Sequence, residues 1–532
     1  MTPTTIASYL PVVAFLPFAV RRLMSYLHIF QQEEYDGTRF LPWLVRTRSI
    51  DKKLSIVIII LGVAELAAGR FAFWLSLLAA AAFIVFFLRE DDPRRSGKKK
   101  LVLTARAKRI LGGAVVLSVV VGCAAGALHA PLLAWLVPIH LLPVLLVLSN
   151  LALTPVEAGI QQKFWQEAHD KLLRLKPTTI GITGSFGKTS VKHILGHVLD
   201  MNAPALVTPG SVNTPMGIAR IVRERLETRH RFFVCEMGAY GPGSIARLCR
   251  LAPPEIGVIT AVGHAHYERF KSLDVVAHTK LELAEAVVAK GGKIVLAEQV
   301  LDFEPARSFQ SRHGANLIIV GRGDKADLRV LAIRQTAAGT ETDVAWRGEP
   351  HTISAPIYGE HHGMNLALAF ATALAMGISA ENTLLSLRTT PQIKHRLEVK
   401  REPNGAVIVD DAYNSNPIGF ASGLAALDNL RSPNGRRILV TPGMVELGAA
   451  HEAEHEKIGT LAGAHVDILL PVVPDRIAPM IAAYKAANPG GLVIPCENFA
   501  GAQSWLTANL RAGDTVLLEN DLPDLYEAKL SL

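Results

Sequence analysis

Long apolar segments dominate the first 153 residues of the chain. They cover residues 5–20, 54–69, 71–88, 110–128 and 131–153. A helix that crosses a lipid bilayer needs about 20 apolar residues, with a usable range of about 17–25. The last three segments reach this length, and the first two need flanking residues to do so. The pattern therefore predicts an α-helical transmembrane region of about five helices over residues 1–155.

The charge of the connecting loops predicts how these segments are oriented. The loops 21–53 and 89–109 are rich in lysine and arginine, whereas the other two loops are short and nearly uncharged. Basic loops remain on the cytoplasmic side of a membrane. Five crossings then place the N-terminus outside and the chain after residue 153 in the cytoplasm. Glu65 and His140 lie within the segments, where polar residues are candidates for a functional role.

An amphipathic helix is predicted over residues 156–175, as a linker that ends at residue 176. Its apolar positions recur at helical spacing and are Ile160, Phe164, Trp165, Ala168, Leu172 and Leu173. The sequence Lys176-Pro177 ends the pattern. Such a helix either lies on the membrane surface or packs against the domain that follows.

The distribution of charge argues against a nucleic-acid partner. The net charge is +8, and residues 1–157 contain 17 lysines and arginines against 9 aspartates and glutamates, so that the rest of the chain is neutral. The basic excess belongs to the apolar region, and no basic stripe with interleaved aromatic residues follows it. The four cysteines form no CxxC pair, which predicts reduced thiols in a cytosolic catalytic part.

A phosphate-binding loop follows the linker. The β-branched run 178–183 predicts a strand, and a helix is predicted from Ser190 to about Leu199. Between them lie the residues of the predicted nucleotide cradle: Gly184, Ser185, Gly187, Lys188, Thr189 and Ser190. A glycine loop that opens a helix presents backbone N–H groups and a favourable dipole to phosphate, while the lysine adds a positive charge. This arrangement predicts nucleotide binding.

The last part of the chain alternates between strands and helices. Strands are predicted over residues 406–410, 437–441, 467–473, 492–495 and 514–518, with helical stretches between them. Alternation of this kind is typical of a parallel sheet that is covered by helices. The fold class is therefore multidomain: a transmembrane helical region, an α/β P-loop domain and a Rossmann-like α/β C-terminal domain.

Five motifs in order resemble those of the Mur ligases. The loop TGSFGKTS (183–190) has Ile182 where the general P-loop has its first glycine, and it is similar to the shorter loop of Mur ligases and folylpolyglutamate synthetases. It is followed by NTPMG (213–217), FFVCEMGA (232–239), HRLE (395–398) and DDAYNSNP (410–417). The resemblance covers residues 176–525 and is closest to MurF, the branch that adds D-alanyl-D-alanine. It implies a central ATP-binding domain over 177–390 and a C-terminal domain over 391–532.

The resemblance also implies a metal site and a set of catalytic residues. Mg²⁺ would be bound by Thr189, Glu236, His266 and a carbamoylated Lys280, since a carbamate turns a cationic amine into an acidic ligand. Lys188, Lys280 and His266 would be catalytic.

Further residues are implied in binding the two substrates. His362, Asn365, Arg396 and Asp410 would contact the nucleotide, and Asn213, Thr214, Asp411, Asn414 and Asn416 the acceptor or the amine. The chain departs from the family at His362 and in the segment 291–299, where relatives carry asparagine. It also departs at Gly443, in place of an aspartate, and at Glu519-Asn520, in place of Lys-Gly.

The implied activity is an ATP-dependent amide ligation through an acyl phosphate, in bacterial cell-wall peptide synthesis at the cytoplasmic membrane. The acceptor is either a small UDP-linked muramoyl peptide, or a lipid-linked or poly-γ-glutamate-type molecule, because apolar segments replace the usual substrate domain. A degenerate ATP-binding scaffold for the envelope machinery is a further alternative. The partners of such a scaffold would be proteins of envelope synthesis. A transporter is disfavoured, since the chain has no second ATPase signature and few spans.

Overall fold

A computed structural model describes residues 3–67, 71–95, 100–263, 270, 272–336, 338–413, 415–445 and 447–520. The described chain forms two compact units, one within residues 3–161 and one within residues 162–520. All four cysteines are free thiols.

The first unit is a bundle of α-helices. Its helices are α1 (Pro3–Gln32), α2 (Gly37–Arg46), α3 (Lys52–Ala67), α4 (Ala72–Arg89), α5 (Ala105–Ala127) and the beginning of α6 (Leu136–Leu175). Four helical stretches in the described residues are long and apolar enough to cross a membrane: Tyr9–Gln32, Ala72–Arg89, Ala105–Ala127 and Leu132–Leu175. Helix α3 has 16 residues and is shorter than the others. The sequence predicted five spans, and the structure contains four helices of that length.

The outer surface of this bundle is apolar. Large exposed apolar side chains recur at helical spacing, three, four or seven residues apart, along α3 and α4, namely Ile56, Ile60, Val63, Leu66, Trp74, Leu78, Val85 and Leu88. Soluble monomeric proteins rarely expose a continuous apolar face of this extent. The surface of the first unit therefore suits a lipid environment.

Charged residues are buried inside the same bundle. Arg22 of α1 is 2% exposed, and its Nε lies 3.2 Å from Asp51 Oδ2 and 3.4 Å from Glu90 Oε2. Ser25 donates to the other Glu90 oxygen at 2.6 Å. The first apolar segment was predicted to end at Val20, before a pair of arginines, but α1 continues to Gln32. The helix can continue because the charge of Arg22 is paired with two distant carboxylates.

Glu65 and His140 each have a partner within the bundle. Glu65 Oε2 accepts a hydrogen bond from the backbone N–H of Leu132 at 2.7 Å, at the start of a short 3₁₀ turn. His140 is exposed, and its Nε2 lies 2.9 Å from the hydroxyl of Ser55. The contact of Glu65 gives it a structural role at the end of a helix.

The predicted linker helix is the second half of α6, which runs without a break from the last apolar segment. Ala168 and Leu172 are buried in the core of the second unit. Lys171 donates to the backbone carbonyl of Arg223 at 2.8 Å, and the Arg223 guanidinium lies 3.9 Å from the ring centroid of Phe164. From residue 162 onward, this helix therefore packs against the catalytic domain.

The first part of the second unit is built on a nine-stranded sheet. Its strands are β1 (Thr178–Thr183), β2 (Ala205–Val207), β3 (Phe232–Glu236), β4 (Ile256–Ile259), β5 (Lys293–Ala297), β6 (Leu317–Gly321), β7 (Leu328–Thr336), β8 (Gly339–Trp346) and β9 (Glu349–Ala355). The order is β2-β3-β1-β4-β5-β6-β7-β8-β9, parallel as far as β7 and antiparallel beyond it. The antiparallel extension was not predicted from the sequence.

Seven helices accompany this sheet in the described residues. They are α7 (Lys188–Asn202), α8 (Pro215–Arg225), α9 (Ser244–Leu251), α10 (Leu273–Val288), α11 (Glu304–His313), α12 (His361–Ala375) and α13 (Ala380–Arg388). Strand β1 lies between β3 and β4. In open parallel sheets, ligands bind at the carboxyl ends of the strands where the strand order reverses. The end of β1 is such a position.

The second part of this unit is a six-stranded sheet with helices. Its strands are β10 (Glu398–Arg401), β11 (Val407–Asp411), β12 (Arg437–Thr441), β13 (Ile468–Pro471), β14 (Leu492–Val493) and β15 (Thr515–Glu519). Its helices are α14 (Pro417–Leu430), α15 (His451–His465), α16 (Ala478–Ala487) and α17 (Phe499–Asn509). The order is β10-β11-β15-β12-β13-β14, and β10 alone is antiparallel to its neighbour. All five strands predicted for this region are present.

Candidate active site

The loop between β1 and α7 can be formed only with glycine at two positions. Gly184 has φ +152° and Gly187 has φ +79°. A Cβ on Gly184 would lie 1.9 Å from the hydroxyl oxygen of Thr260, and one on Gly187 would lie 2.6 Å from the amide oxygen of Asn365. The loop is thus held closely between the end of β4 and helix α12. Helix α7 begins directly after it, so that its N-terminus points at the loop.

Lys188 stands in the first turn of α7 and folds back over the loop. Its Nζ donates to the carbonyl oxygens of Gly184 at 2.7 Å and of Ser185 at 3.2 Å. Burial lowers the pKa of the Lys188 ammonium, and the carboxylate of Glu236 opposes this effect. A lysine in this position can exchange its two carbonyl partners for phosphate oxygens, which are stronger acceptors.

Oxygen ligands for a metal ion meet beside the loop. The Thr189 hydroxyl donates to Glu236 Oε2 at 2.9 Å, and the side-chain amide of Asn213 donates to Glu236 Oε1 at 3.1 Å. Burial raises the pKa of the Glu236 carboxyl, but the charges of Lys192 and Lys188 outweigh it and hold the pKa below its ordinary value. Glu236 is therefore an ionised carboxylate, and a carboxylate beside a hydroxyl is the kind of donor set that Mg²⁺ prefers.

Lys280 is buried on helix α10. Lys280 is 3% exposed. Its burial lowers the pKa of the amine well below the ordinary value, and the charge of Lys188 lowers it further. The lowered pKa favours the unprotonated amine, which is the form that can react with CO₂. His266, the other predicted ligand in this region, lies outside the described residues.

Two histidines and an asparagine occupy the start of α12, next to the loop. The ring centroids of His361 and His362 are 4.2 Å apart, and Nδ1 of His362 lies 3.3 Å from the side-chain nitrogen of Asn365. Burial, followed by the charge of Arg396, lowers the pKa of His361 to about 4, and burial also lowers the pKa of His362 well below its ordinary value. Both rings are neutral, and Asn365 meets the loop at Gly187.

Arg396 connects the second sheet to the phosphate loop. Its guanidinium lies 4.7 Å from the ring centroid of Tyr413, and its charge lowers the pKa of Lys188 after burial. The residues on either side of it, His395 and Leu397, have φ of +57° and +49°. Left-handed backbone at residues other than glycine is costly and marks segments that the surrounding structure holds firmly. The predicted position of Arg396 near the nucleotide is compatible with this arrangement.

Asp410 lies in a cluster that the sequence did not predict. His395 Nδ1 lies 3.0 Å from Asp410 Oδ2, and Lys400 Nζ lies 2.7 Å from Asp410 Oδ2 and 3.2 Å from Glu398 Oε2. His395, Glu398 and Asp410 could geometrically bind a metal ion. The Lys400 ammonium already satisfies both carboxylates, however, so this cluster is an ion-pair network and leaves no room for a second cation.

Asp411 and Glu519 form a buried pair of acids at the ends of β11 and β15. The two residues are in register on adjacent parallel strands. Burial raises the pKa of Asp411 to about 7. Burial, followed by the charge of Asp411, raises the pKa of Glu519 well above its ordinary value. The Ser415 hydroxyl lies against Glu519 Oε1. The pair therefore retains a proton near neutral pH, as expected for two close carboxyl groups out of water.

The remaining predicted site residues take local roles. Thr214 caps α8 by accepting from the Gly217 N–H at 3.3 Å, and Asn416 caps α14 by accepting from the Gly419 N–H at 3.0 Å. Ser190 is buried in the first turn of α7. Asn414 lies outside the described residues. The structure thus brings Lys188, Thr189, Glu236 and Asn213 together, whereas Thr214 and Asn416 are engaged in capping.

Comparisons with known proteins agree with this geometry. Residues 182–373 match the Mur ligase middle domain, and residues 395–519 match the Mur ligase, glutamate ligase domain. A UDP-N-acetylmuramoyl-tripeptide–D-alanyl-D-alanine ligase of Mycobacterium tuberculosis is 35% identical over 364 residues, which cover 64% of this chain and 70% of that one. The chain belongs to the Mur ligase family. A ligase of the same name from Bacillus subtilis is 29% identical and covers 56% of this chain and 62% of its own.

Solved structures show the same fold. The MurF ligase of Thermotoga maritima in complex with ADP has a TM-score of 0.58 and 23% identity, and the match covers 70% of this chain and 82% of that one. A MurF of Acinetobacter baumannii has a TM-score of 0.57 and 22% identity, with coverage of 68% and 77%. The predicted Mur ligase family and ATP-dependent carbon–nitrogen ligase activity are confirmed, as are the two α/β domains of the fold class.

The residues of this Mur ligase fit the cofactors of the family, ATP and Mg²⁺. The two glycines leave a concave loop at the N-terminus of α7, and Lys188 offers a positive charge whose present partners are weak acceptors. Thr189 and Glu236 offer hard oxygen ligands directly beside it. The chemistry of the donors therefore matches a magnesium-bound nucleotide.

Proposed function

We propose that this chain is a membrane-anchored Mur ligase that acts like MurF and adds a D-alanyl-D-alanine-type dipeptide to a UDP-linked muramoyl peptide. The observation that carries the proposal is the contact between Thr189, Glu236 and Asn213 beside the phosphate loop, in a chain that is 35% identical across both catalytic domains to a ligase of that name. The contact joins predicted nucleotide-binding and substrate-binding residues in one site.

The proposed reaction activates a carboxylate and then forms an amide. ATP supplies the phosphoryl group, so that the substrate carboxylate becomes an acyl phosphate with release of ADP, and the amine then displaces inorganic phosphate. Lys188 and the N-terminus of α7 bind and orient the phosphates, while Thr189 and Glu236 hold the metal ion. Asn213 would hold the acceptor substrate beside the Glu236 carboxylate. Catalysis of this kind rests on positioning and on compensation of negative charge.

Several site roles are part of the same proposal. Lys280 and His266 would complete a second metal site, with Lys280 carbamoylated. His362, Asn365, Arg396 and Asp410 would contact the nucleotide, and Asp411 and Asn414 the incoming amine. The contact of Asn365 with Gly187 and the electrostatic effect of Arg396 on Lys188 support the nucleotide roles. Thr214 and Asn416 would act indirectly, because their capping bonds to backbone N–H groups fix the loops that contact the substrate.

A second candidate has the same chemistry on a different acceptor. The family match begins at residue 182, and the chain before it contains a helical bundle with an apolar outer surface. A lipid-linked or poly-γ-glutamate-type acceptor would reach a membrane-bound enzyme directly. The motif similarity favours the nucleotide-linked acceptor.

A mass-resolved ligation assay distinguishes the candidates. The full chain in nanodiscs receives ATP and Mg²⁺ with UDP-muramoyl tripeptide and D-alanyl-D-alanine in one reaction, and with a membrane lipid extract and amino acids in another. We expect a dipeptide-sized mass gain on the nucleotide acceptor, with matching phosphate release, in the first reaction. A product in the lipid reaction alone would assign the second candidate. Nucleotide binding with no product in either reaction would contradict both and support the scaffold alternative.

We further propose that the first unit spans the bacterial cytoplasmic membrane several times, with the N-terminus outside and the ligase domains in the cytoplasm. Helix α3 has 16 residues and rises about 24 Å, which is less than the hydrocarbon thickness of about 30 Å, so it would need its flanking residues to serve as the fifth crossing. The large exposed side chains along α3 and α4 are apolar, whereas Lys52, Lys53 and Arg89 are exposed at the helix ends. The basic loops 21–53 and 89–109 would then face the cytoplasm.

Cysteine labelling in intact cells tests this orientation. In a Cys123→Ala background, we expect a membrane-impermeant maleimide to label Leu128→Cys, at the end of the segment 110–128 that is predicted to lie outside, but not Asp91→Cys, in the loop predicted inside. Both positions are exposed in the structure. Asp91→Cys must become reactive after the cells are broken, which serves as the control. Labelling of Asp91→Cys in intact cells would reverse the topology.

A further inference from the structure

A second lysine of helix α7 is buried behind the phosphate loop. Lys192 lies one turn after Lys188 and is 2% exposed. Its Nζ lies 3.1 Å from Glu236 Oε2 and also donates to the backbone carbonyl of Gly210. The same ammonium therefore holds the carboxylate at the end of β3 and the loop that precedes α8.

The Glu236 carboxylate is shared between two elements. Its Oε2 receives the hydroxyl of Thr189 and the ammonium of Lys192, both from α7, whereas its Oε1 receives the side-chain amide of Asn213. A charge-assisted hydrogen bond to a buried carboxylate is stronger than a neutral one. Of the three donors, Lys192 therefore contributes most to the orientation of Glu236.

The loop that Lys192 holds at Gly210 reaches both sides of the site. Ser211 is hydrogen-bonded to the hydroxyl of Tyr413, which belongs to the second sheet. The side-chain oxygen of Asn213 accepts from the hydroxyl of Tyr240 at 2.9 Å, and its backbone carbonyl accepts from the Gly238 N–H at 3.1 Å. The loop is thus in contact with the C-terminal domain and with the segment after Glu236.

We propose that Lys192 is a positioning residue that fixes the Glu236 carboxylate and the 208–214 loop in one arrangement, so that metal binding and placement of the carboxylate substrate depend on the same ammonium. Lys192 itself contacts neither substrate. This inference rests on the proposed function, because it assigns the 208–214 loop to the acceptor and Glu236 to the metal ion. A lysine with a purely structural role would affect the stability of the fold and leave the two binding events independent.

The test compares Lys192→Met with Lys192→Arg and with the control Lys171→Met, in the full chain in nanodiscs. Lys171 also donates to a backbone carbonyl, but it does so on α6, at Arg223. Calorimetry measures the binding of a non-hydrolysable imido analogue of ATP over a range of Mg²⁺ concentrations. We expect Lys192→Met to weaken Mg²⁺-dependent binding about tenfold, as for other residues that orient a metal ligand. Lys192→Arg should recover part of this loss, and Lys171→Met should match wild type.

Hydrogen exchange of the 208–214 amides provides the second measurement. We expect these amides to exchange about tenfold faster in Lys192→Met, while exchange in β1 and β3 is unchanged. In the ligation assay, the KM for the carboxylate substrate should rise more than kcat falls. Unchanged Mg²⁺ binding and loop exchange in a folded Lys192→Met would overturn the inference. A wild-type protein without ligase activity would contradict the proposed function, and the binding and exchange measurements would still decide the role of Lys192.

Discussion

Replacement of Lys188 by alanine is expected to lower kcat of the ligation about 10³-fold, the loss typical of a group that stabilises transition-state charge. The lysine folds over the phosphate loop, where its Nζ has only the carbonyls of Gly184 and Ser185 as hydrogen-bond partners among the described residues. When phosphate is bound, this ammonium is the nearest positive charge at the N-terminus of α7. Without it, the charge that develops on the transferred phosphoryl group has no lysine to compensate it. Product formation by mass and phosphate release are the measurements.

The variant Lys485→Ala serves as the control for Lys188, because Lys485 is exposed on α16 and has no role in the site. Its kinetics should equal those of wild type. Lys188→Arg keeps the charge but carries a wider head group, and we expect intermediate activity. If Lys188→Ala retained more than about a tenth of the wild-type rate, Lys188 would not act on the phosphates. If it lost ligation but retained full cellular function, the scaffold alternative would gain support.

The second large effect is expected at Lys280. We predict that Lys280→Ala lowers the ligation rate about 10²-fold, because it removes a ligand that the proposal assigns to a metal site. The neutral amine attacks CO₂ and loses a proton, giving a carbamate, and this reaction requires the lowered pKa that burial produces. Acetate or formate should restore part of the activity of Lys280→Ala, since either anion can occupy the space of the carbamate and supply its oxygen ligand.

A spectroscopic measurement separates carbamoylation from other roles of Lys280. Wild type equilibrated with isotopically labelled bicarbonate should show a carbamate carbon resonance that is missing in Lys280→Ala. Lys290→Ala, just after the end of the same helix, is the control and should retain both the resonance and the activity. If Lys280→Ala lacked activity but wild type showed no carbamate signal, Lys280 would act as an amine and the carbamate would be excluded.

The parts of the site that lie close together in the chain could be predicted from the sequence. The glycines, Lys188 and Thr189 belong to one strand–loop–helix unit, and the strand over 437–441 was predicted with its observed limits. Local patterns suffice in these cases because secondary-structure propensity and the spacing of hydrophobic residues depend only on residues that are close together in the chain. The contact between Thr189 and Glu236 followed from the family resemblance.

Features that depend on distant partners could not be predicted. The Asp411–Glu519 pair requires β11 and β15 to be neighbours, although three strands and four α-helices separate them in the chain. The burial of Lys192 could not be predicted, since a lysine in a helix is usually solvated. It is buried because its ammonium binds Gly210 and Glu236, which lie elsewhere in the chain. The capping bonds of Thr214 and Asn416 are local, and an N-cap residue before proline is a pattern that could have indicated them.

The buried charges of the first unit constrain how this region can change in evolution. Removing one partner of a buried ion pair costs about 3–5 kcal/mol, whereas replacing the whole set by apolar residues can be neutral. Arg22 lies in α1, Asp51 directly precedes α3 and Glu90 directly follows α4, so the three charges come from separate parts of the chain. A single substitution therefore leaves the remaining charges buried without their full set of partners. Natural variation at these positions is therefore expected to be correlated. Lineages should either keep all three charges or lose them together, and a lineage with only one carboxylate exchanged should carry a compensating change nearby.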